Sequence, residues 1–284
     1  LVVNPTRSRN KDKYEWQFYL LDSTLNVVWK KSYDISINSN FLGYDHSGES
    51  FYMLFGKSQY KLEKMEVMEL SAASGDSSQY NIDTVFPMQL GFFESVGNTL
   101  IFGGYANFRP VVMLFDTKLR KPKVLPGFYN SKSDILDIKT NDESKHFTVM
   151  LRETTINKKI TISLRTFQTN GDILVTKKLD AEYEKSLIDG VSTFFNSGVQ
   201  YVTGTYARRK SEYSRGLYIA KLNKGEQELI KYYNYADLNN FFSYMRAKRE
   251  TRVKERITRR KVKGKKVKFN YRLLVHDIIQ RGEE

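Results

Sequence analysis

Short apolar stretches alternate with polar turns along this whole chain, and five of them recur as hairpins. The hairpins read FYLLDSTLNVVWKKSYDI from Phe18, VMELSAASGDSSQYNID from Val67, VMLFDTKLRKPKVL from Val112, ISLRTFQTNGDILVTKKLD from Ile162 and YIAKLNKGEQELIKYYNY from Tyr218. Aligned on the residue before each turn (Leu21, Leu70, Phe115, Phe167, Leu222), they lie 49, 45, 52 and 55 residues apart. The apolar runs are too short for helices, and turn signals return at the spacing of all-β folds, so the pattern predicts strands. Each repeat divides into four, a to d. In the second, strand a is FLGY (Phe41–Tyr44), strand b FYMLFG (Phe51–Gly56) and strand c KMEVMEL (Lys64–Leu70), and strand d follows SAASGD. The third echoes it with QLGF from Gln89 and TLIFG (Thr99–Gly103); the fourth starts at Ile135 and the fifth at Leu187. Asn170-Gly171-Asp172, Asn223-Lys224-Gly225, Ser47-Gly48, Ser74-Gly75, Gly97-Asn98 and Ser197-Gly198 supply residues that tolerate positive φ in tight turns.

A period of this size built from short strands predicts an all-β protein, a β-propeller made of four-stranded blades. A sandwich or solenoid is the other all-β arrangement the pattern allows. LVVNP at residues 1–5 takes the place of a strand b, and Arg272–Glu284 that of a strand a with its following turn. The expectation is one incomplete propeller domain over residues 1–284: four complete blades, partial blades at both ends, and an insertion over 237–270.

Carried by those five hairpins, the chain resembles β-propeller proteins in general. It has neither the Trp-Asp dipeptide of WD40 repeats nor the Gly-Gly and spaced Tyr/Trp of kelch repeats; Gly103-Gly104 alone reads as a bulge. Its Tyr/Phe/Lys/Asn-rich style, with YLLD- and NGDIL-like hairpins, is similar to that of extracytoplasmic propeller proteins of the Bacteroidota. Some of those are accessories of secretion machinery such as the type 9 system. The resemblance implies a subunit of a bacterial envelope or secretion complex, periplasmic or outer-membrane associated, with a cytoplasmic location left open.

Aromatic residues, 19 Tyr and 18 Phe, suit a strand-built core. The absence of cysteine excludes disulfides, Cys-based zinc sites and thiol nucleophiles. No run of about 18 apolar residues marks a transmembrane helix. No leader peptide is visible, but the chain reads as beginning mid-fold, so this fixes no compartment.

Charge is concentrated in one place. The net charge is +14, and between Arg246 and Arg272 the chain holds 14 Lys/Arg against Glu250 and Glu255; the rest carries 32 basic and 30 acidic side chains. The first half of this insertion has a helical pattern, with Asn239 or Asn240 as cap and Phe242, Met245, Val253 and Ile257 on one face. The second half, RKVKGKKVKF, alternates about Gly264 and reads as helix or hairpin. Strand parity puts the b–c loops and the d–a connections at one end of the sheets. The b–c loops are basic: Arg7, Arg9, Lys11 and Lys13 against Asp12; Lys57 and Lys61; Arg109; Arg152, Lys158 and Lys159 against Glu153; Arg208, Arg209, Lys210 and Arg215 against Glu212. The d–a acids (Asp83, Asp180, Glu182, Glu184) offset little of this. The expectation is a disc with one positive face that attracts acidic partners.

The binding candidates are therefore Arg246, Lys248, Arg249, Arg252, Lys254, Arg256, Arg259, Arg260, Lys261, Lys263, Lys265, Lys266 and Lys268, with Arg208, Arg209 and Lys210. The bland reading of the insertion is a solvated extension whose apolar stripe lies on a neighbouring blade. No catalytic constellation, metal site or cofactor motif stands out. His46, His146 and His276 sit in or near turns of different repeats, and Asp142-Glu143 and Glu283-Glu284 read as solvated turn residues. Phe241, Phe242 and Tyr244 read first as packing. The sequence thus favours a non-enzymatic interaction scaffold for an acidic macromolecular partner, a protein of an assembly. Two alternatives stand. One is a nucleic-acid binder, with Tyr244, Phe269 and Tyr271 interleaved among the cations and anionic lipid as a related target. The other is a propeller hydrolase or lyase, for which Asp137 and Asp189 are the channel acids to check.

Overall fold

The computed structural model describes residues 1–7, 12–182, 184–193, 198–209, 211–224, 226–269 and 271–279. Strands β1 (Val2–Arg7), β2 (Lys13–Leu21) and β3 (Val27–Ser36) form a three-stranded antiparallel sheet in that order. Next come β4 (Asn40–Ser47), β5 (Ser50–Gly56), β6 (Leu62–Ser71), β7 (Ser77–Val96), β8 (Thr99–Ala106), β9 (Arg109–Asp116) and β10 (Lys121–Val124), each paired with the next. Strand β7, 20 residues long, serves twice: its first part pairs with β6, and Gln89–Val96 pairs with β8. The run is two four-stranded meanders sharing one long strand. Strands β11 (Ser133–Asn141), β12 (His146–Thr154), β13 (Ile160–Gln168) and β14 (Ile173–Lys178) make another meander. In the last sheet β15 (Lys185–Leu187) and β16 (Val191–Ser192) both pair with β17 (Val199–Arg208), followed by β18 (Ser214–Asn223) and β19 (Glu226–Asn234). A 3-10 turn, Tyr235–Asp237, leads on to helix α1, Ala247–Val262. The expected all-β class holds, with α1 the one α-helix among the described residues.

The chain divides into two compact units. The first comprises 1–131, 140–147 and 167–172, and the second 132–139, 148–166 and 173–284. In the first, the second strand of each of these two meanders is buried on both faces and the third packs beside it: β5 hides Tyr52 to Gly56 and β8 hides Thr99 to Gly104. Their side chains share one core that includes Leu54, Val67, Leu100, Phe102, Met113 and Phe115. The outermost strand β3 instead alternates exposed and half-buried positions, as a strand with one wet face must.

Turns stitch successive repeats together. Asp45 accepts hydrogen bonds from the Ser95 amide and hydroxyl. The Ser47 hydroxyl donates to Asp142 and accepts from the Gly97 amide. Burial pushes the Asp142 carboxyl up, but hydrogen bonds from Ser47, Gly97 and Gly48 outweigh it and hold the group below its ordinary value. Trp29 Nε1 and the Tyr33 hydroxyl reach the carbonyls of Ala72 and Gly75 at 2.8 and 2.7 Å.

The bulge expected at Gly103-Gly104 lies on the opposite strand. Pairing shifts between Leu90 and Phe92, so Gly91 of β7 is the extra residue. Gly104 is what lets the strands close there, because a Cβ would lie 2.0 Å from the Gln89 carbonyl oxygen. Gly204 repeats the device in the second unit, 2.1 Å from the Asp189 oxygen.

Three expectations about the C-terminal third fail. Asn239 and Asn240 do not cap the helix; they sit in turns, and Arg246 is the N-cap, with no side-chain cap bond. The reason is aromatic packing. Phe241 stacks on Tyr235 at 4.2 Å and Phe242 on Phe269 at 5.7 Å, which fixes 239–245 as turns and delays the helix. Nor is Gly264 a hairpin apex. It adopts φ +61 just past the helix, where its amide bonds to Lys261 and that of Lys265 to Arg260, a left-handed helix stop. The strand a expected from Arg272 does not form either: 272–279 contains no strand, and only the bridge between Tyr271 and Ser214 precedes it. Its donors go to side chains instead, as when the Val275 amide binds Asp189 at 2.9 Å. The expected residues 280–284, with Glu283-Glu284, lie outside the described residues, as do Arg9, Lys11, Ser197 and Gly225.

Candidate polyanion-binding surface

Helix α1 is held on the second unit by a small core of its own. Ile257 is its buried residue, and it joins Tyr235, Phe242, Val267 and Phe269, with Leu217 and Val253 packed against them. At 3.6 residues per turn, Arg249, Arg252, Arg256, Arg259, Arg260 and Lys263 fall along one flank of the Val253–Ile257 stripe. Glu250, Lys254 and Lys261 fall on the other flank. There the charges are matched: Lys254 meets Glu250 at 2.6 Å, and Lys261 meets Asp237 at 2.6 Å. On the basic flank the one acidic neighbour among the described residues is Glu255, 4.0 Å from Arg259.

Every predicted basic residue from Arg246 to Lys268 is exposed: Arg246, Lys248, Arg249, Arg252, Lys254, Arg256, Arg259, Arg260, Lys261, Lys263, Lys265, Lys266 and Lys268. Arg208 is exposed at the end of β17; Arg209 is half-buried and donates to the Asn157 carbonyl. Lys210 lies outside the described residues. Arg208, Arg215 and Lys266 line one cleft of the second unit, so the b–c loop and the insertion meet there. The acids Glu182 and Glu184 line it too, with Glu184 4.0 Å from Lys266.

Tyrosines border the basic flank. Tyr244 is 69% exposed. Burial and then a hydrogen bond with Tyr244 push the Tyr271 phenol up, while Arg256 and Arg249 pull it back. Phe269 and Tyr271 stack at 5.6 Å.

The acids proposed for a channel have separate occupations. Asp189 accepts from the Thr205 amide and hydroxyl and from the Val275 amide. Burial raises the Asp137 carboxyl above its ordinary value; Lys139 opposes this. Among the described residues no three His, Asp or Glu side chains gather as metal ligands. His146 is buried beside Ser144, while His46 and His276 are exposed. No helix among the described residues is long and apolar enough to cross a membrane.

Sequence reasoning missed a cleft in the first unit where Tyr60, Phe86, Tyr105, Phe108 and Tyr129 converge. Its signal was a phenylalanine inside a two-residue turn, in YANFRP.

No protein-family model and no curated protein matches the chain. Among solved structures it is similar to the β-propeller domain of the Trilobed protease from Pyrococcus furiosus, at 10% identity and a TM-score of 0.44, covering 67% of this chain and 56% of that one. It is similar to the Dos1 propeller at 9% and 0.46, covering 79% and 53%. A third is the Pyrococcus horikoshii acylaminoacyl peptidase, at 10% and 0.45, covering 67% and 32%. The chain spans less than two thirds of the length of each.

Proposed function

We propose that this chain is a non-enzymatic β-propeller scaffold that binds an acidic macromolecular partner through the basic flank of α1. Support for the propeller reading comes from the four-strand meander returning at a near-constant step, each return being one blade. The observation that carries the binding role is the asymmetry of the helix. Glu250 and Asp237 meet the lysines of one flank, while Arg249, Arg252, Arg256, Arg260 and Lys263 stand exposed on the other, where Glu255 lies 4.0 Å from Arg259. A solvated extension needs no such sorting, and an apolar anchor holds the flank in place. The partner is then an acidic protein surface of an assembly. By the compositional resemblance to Bacteroidota propeller proteins, the proposal extends to an envelope or secretion complex, periplasmic or outer-membrane associated.

A second reading rests on Tyr244 and Tyr271 beside Arg249 and Arg256. An exposed Tyr244 ring, with the half-buried Tyr271 behind it, next to guanidinium groups suits stacked bases of single-stranded nucleic acid. Titration with polyglutamate and with a single-stranded DNA 20-mer, each at two salt concentrations, tests both. The scaffold reading expects polyglutamate to bind with a strong salt dependence and Arg249→Glu/Arg252→Glu/Arg256→Glu to lose that binding. If only DNA binds, and Tyr244→Ser weakens it, the second reading replaces the first. If neither polyanion distinguishes the triple variant from the parent, the helix is a structural prop.

A further inference from the structure

A cleft of about 770 Å³ opens in the first unit, built from four separate stretches of chain. Tyr60 and Lys61 come from the β5–β6 loop, Phe86 and Pro87 from the middle of β7, Tyr105 to Phe108 with Pro110 and Val111 from the β8–β9 hairpin, and Val124 to Tyr129 from the end of β10 and the segment after it. Its walls are rings and prolines. Pro87, Pro110 and Pro126 carry no amide hydrogen, so those positions cannot extend a strand ladder to a visitor. Recognition there must go through side chains.

The charges of the lining have one sign. Lys61 is the one charged residue of the lining, Arg109 stands just behind it against Tyr129, and no Asp or Glu is among the lining residues. The Arg109 guanidinium lies over the Tyr129 ring, 4.6 Å from its centroid. A carboxylate arriving at this cleft meets Lys61 on the lining and Arg109 beside it; Glu63, which pairs with Lys61 at 3.5 Å, lies outside the lining, and both partners of that pair are exposed.

The decisive feature is Phe108. Ala106 pairs directly with Arg109, so Asn107 and Phe108 are the whole turn. Both have positive φ, +48 and +61, the geometry of a type I′ hairpin. Glycine is favoured at the second position because a side chain with this backbone is strained by about 1–2 kcal/mol. Phenylalanine sits there instead, and is 96% exposed. Neither local conformation nor folding of this unit explains it. Strain and an unburied ring at the same residue point to a contact made by another molecule. Because Phe108 projects beyond the cleft, that molecule is longer than a ligand enclosed within it. Tyr60, 70% exposed, stands at the rim as well.

From this geometry we infer that the cleft is a docking groove for an extended peptide segment of a partner protein, one carrying aromatic or proline residues next to acidic ones. The rings take the apolar residues by stacking, as in aromatic-lined grooves that read extended proline-bearing segments. Lys61 and Arg109 take the acids. The inference is independent of the α1 surface, which belongs to the other unit.

Fluorescence anisotropy with three labelled hexapeptides tests it: Asp-Trp-Pro-Asp-Trp-Pro, its lysine counterpart Lys-Trp-Pro-Lys-Trp-Pro, and the ring-free Asp-Ala-Pro-Asp-Ala-Pro. The first is expected to bind below about 1 mM, and at least tenfold more tightly than either of the others. Phe108→Gly removes the ring and relieves the turn, so the fold keeps its unfolding midpoint or gains while the peptide loses about tenfold or more. Tyr60→Ser weakens binding in the same sense. Lys61→Glu/Arg109→Glu inverts the preference toward the lysine peptide. No binding of the first peptide at about 1 mM, equal binding of all three, or an unchanged affinity in Phe108→Gly each overturns the inference.

Discussion

Truncating Ile257 to Ala tests whether the basic flank exists only because one apolar stripe holds it. The helix has poor internal credentials. Like charges face each other at i,i+4 in Lys248/Arg252, Arg252/Arg256, Arg256/Arg260 and Arg259/Lys263, and at i,i+3 in Arg246/Arg249, Arg249/Arg252, Arg256/Arg259 and Arg260/Lys263. At 0.2–0.5 kcal/mol a pair, these disfavour the helix by roughly 2–4 kcal/mol, which the two Glu-to-cation pairs recover only in part. Cations in its first turn also oppose the helix dipole. A helix of 16 residues is marginal alone even without such repulsion. Packing of Ile257 against Tyr235, Phe242, Val267 and Phe269 must therefore supply the balance.

Ile257→Ala removes that packing at about 2–4 kcal/mol. The helix should then open locally while the sheets stay folded. Hydrogen exchange resolved to residues 250–262 reads this directly, and the expected acceleration is about 30- to 700-fold. Because repulsion is screened by salt, raising ionic strength should restore part of the protection in the variant. Polyglutamate binding should fall with the helix. If exchange in 250–262 stays within about threefold of the parent, the helix does not depend on its anchor and the reasoning is wrong.

The remaining predictions concern the framework. Asp189→Ala strands the Thr205 and Val275 donors and should destabilise the second unit by about 2–4 kcal/mol in urea titration, where a loss under about 1 kcal/mol would show that water replaces the carboxylate. Asp142 has a folded pKa below its unfolded value. It therefore contributes stability above the ordinary carboxylate range that is lost as pH falls through the folded pKa. Asp142→Asn should flatten the acid limb of the unfolding midpoint between about pH 5 and pH 2, and an unchanged limb would remove Asp142 from the account. Gly104→Ala should destabilise by about 3 kcal/mol or more, since the Gln89 carbonyl cannot withdraw. Gly48→Ala, at φ +57 with open space around it, should lose only about 1–2 kcal/mol in the same melts.

What the sequence made legible was whatever depends on neighbours along the chain. Alternation and turn chemistry located the hairpins, because a two-residue turn and the strands it joins are local events. Gly171, at φ +86 in Asn170-Gly171-Asp172, was readable for that reason. What stayed hidden depends on partners far along the chain. The helix start moved from Asn240 to Ala247 because Tyr235 and Phe269 claimed Phe241 and Phe242 first. The strand foreseen at 272–279 lost its ladder because the Val275 amide went to Asp189, a residue 86 positions away. Charge was legible as a total and illegible as an arrangement. Counting gave the excess in 246–272, but only the helix separated Lys254 and Lys261, which meet acids, from Arg252 and Arg256, which meet none among the described residues. That separation turns a basic composition into a directional surface. A flank that repels itself stays helical at the expense of its apolar stripe, and on the proposed scaffold reading that expense keeps the cations in register for an acidic partner.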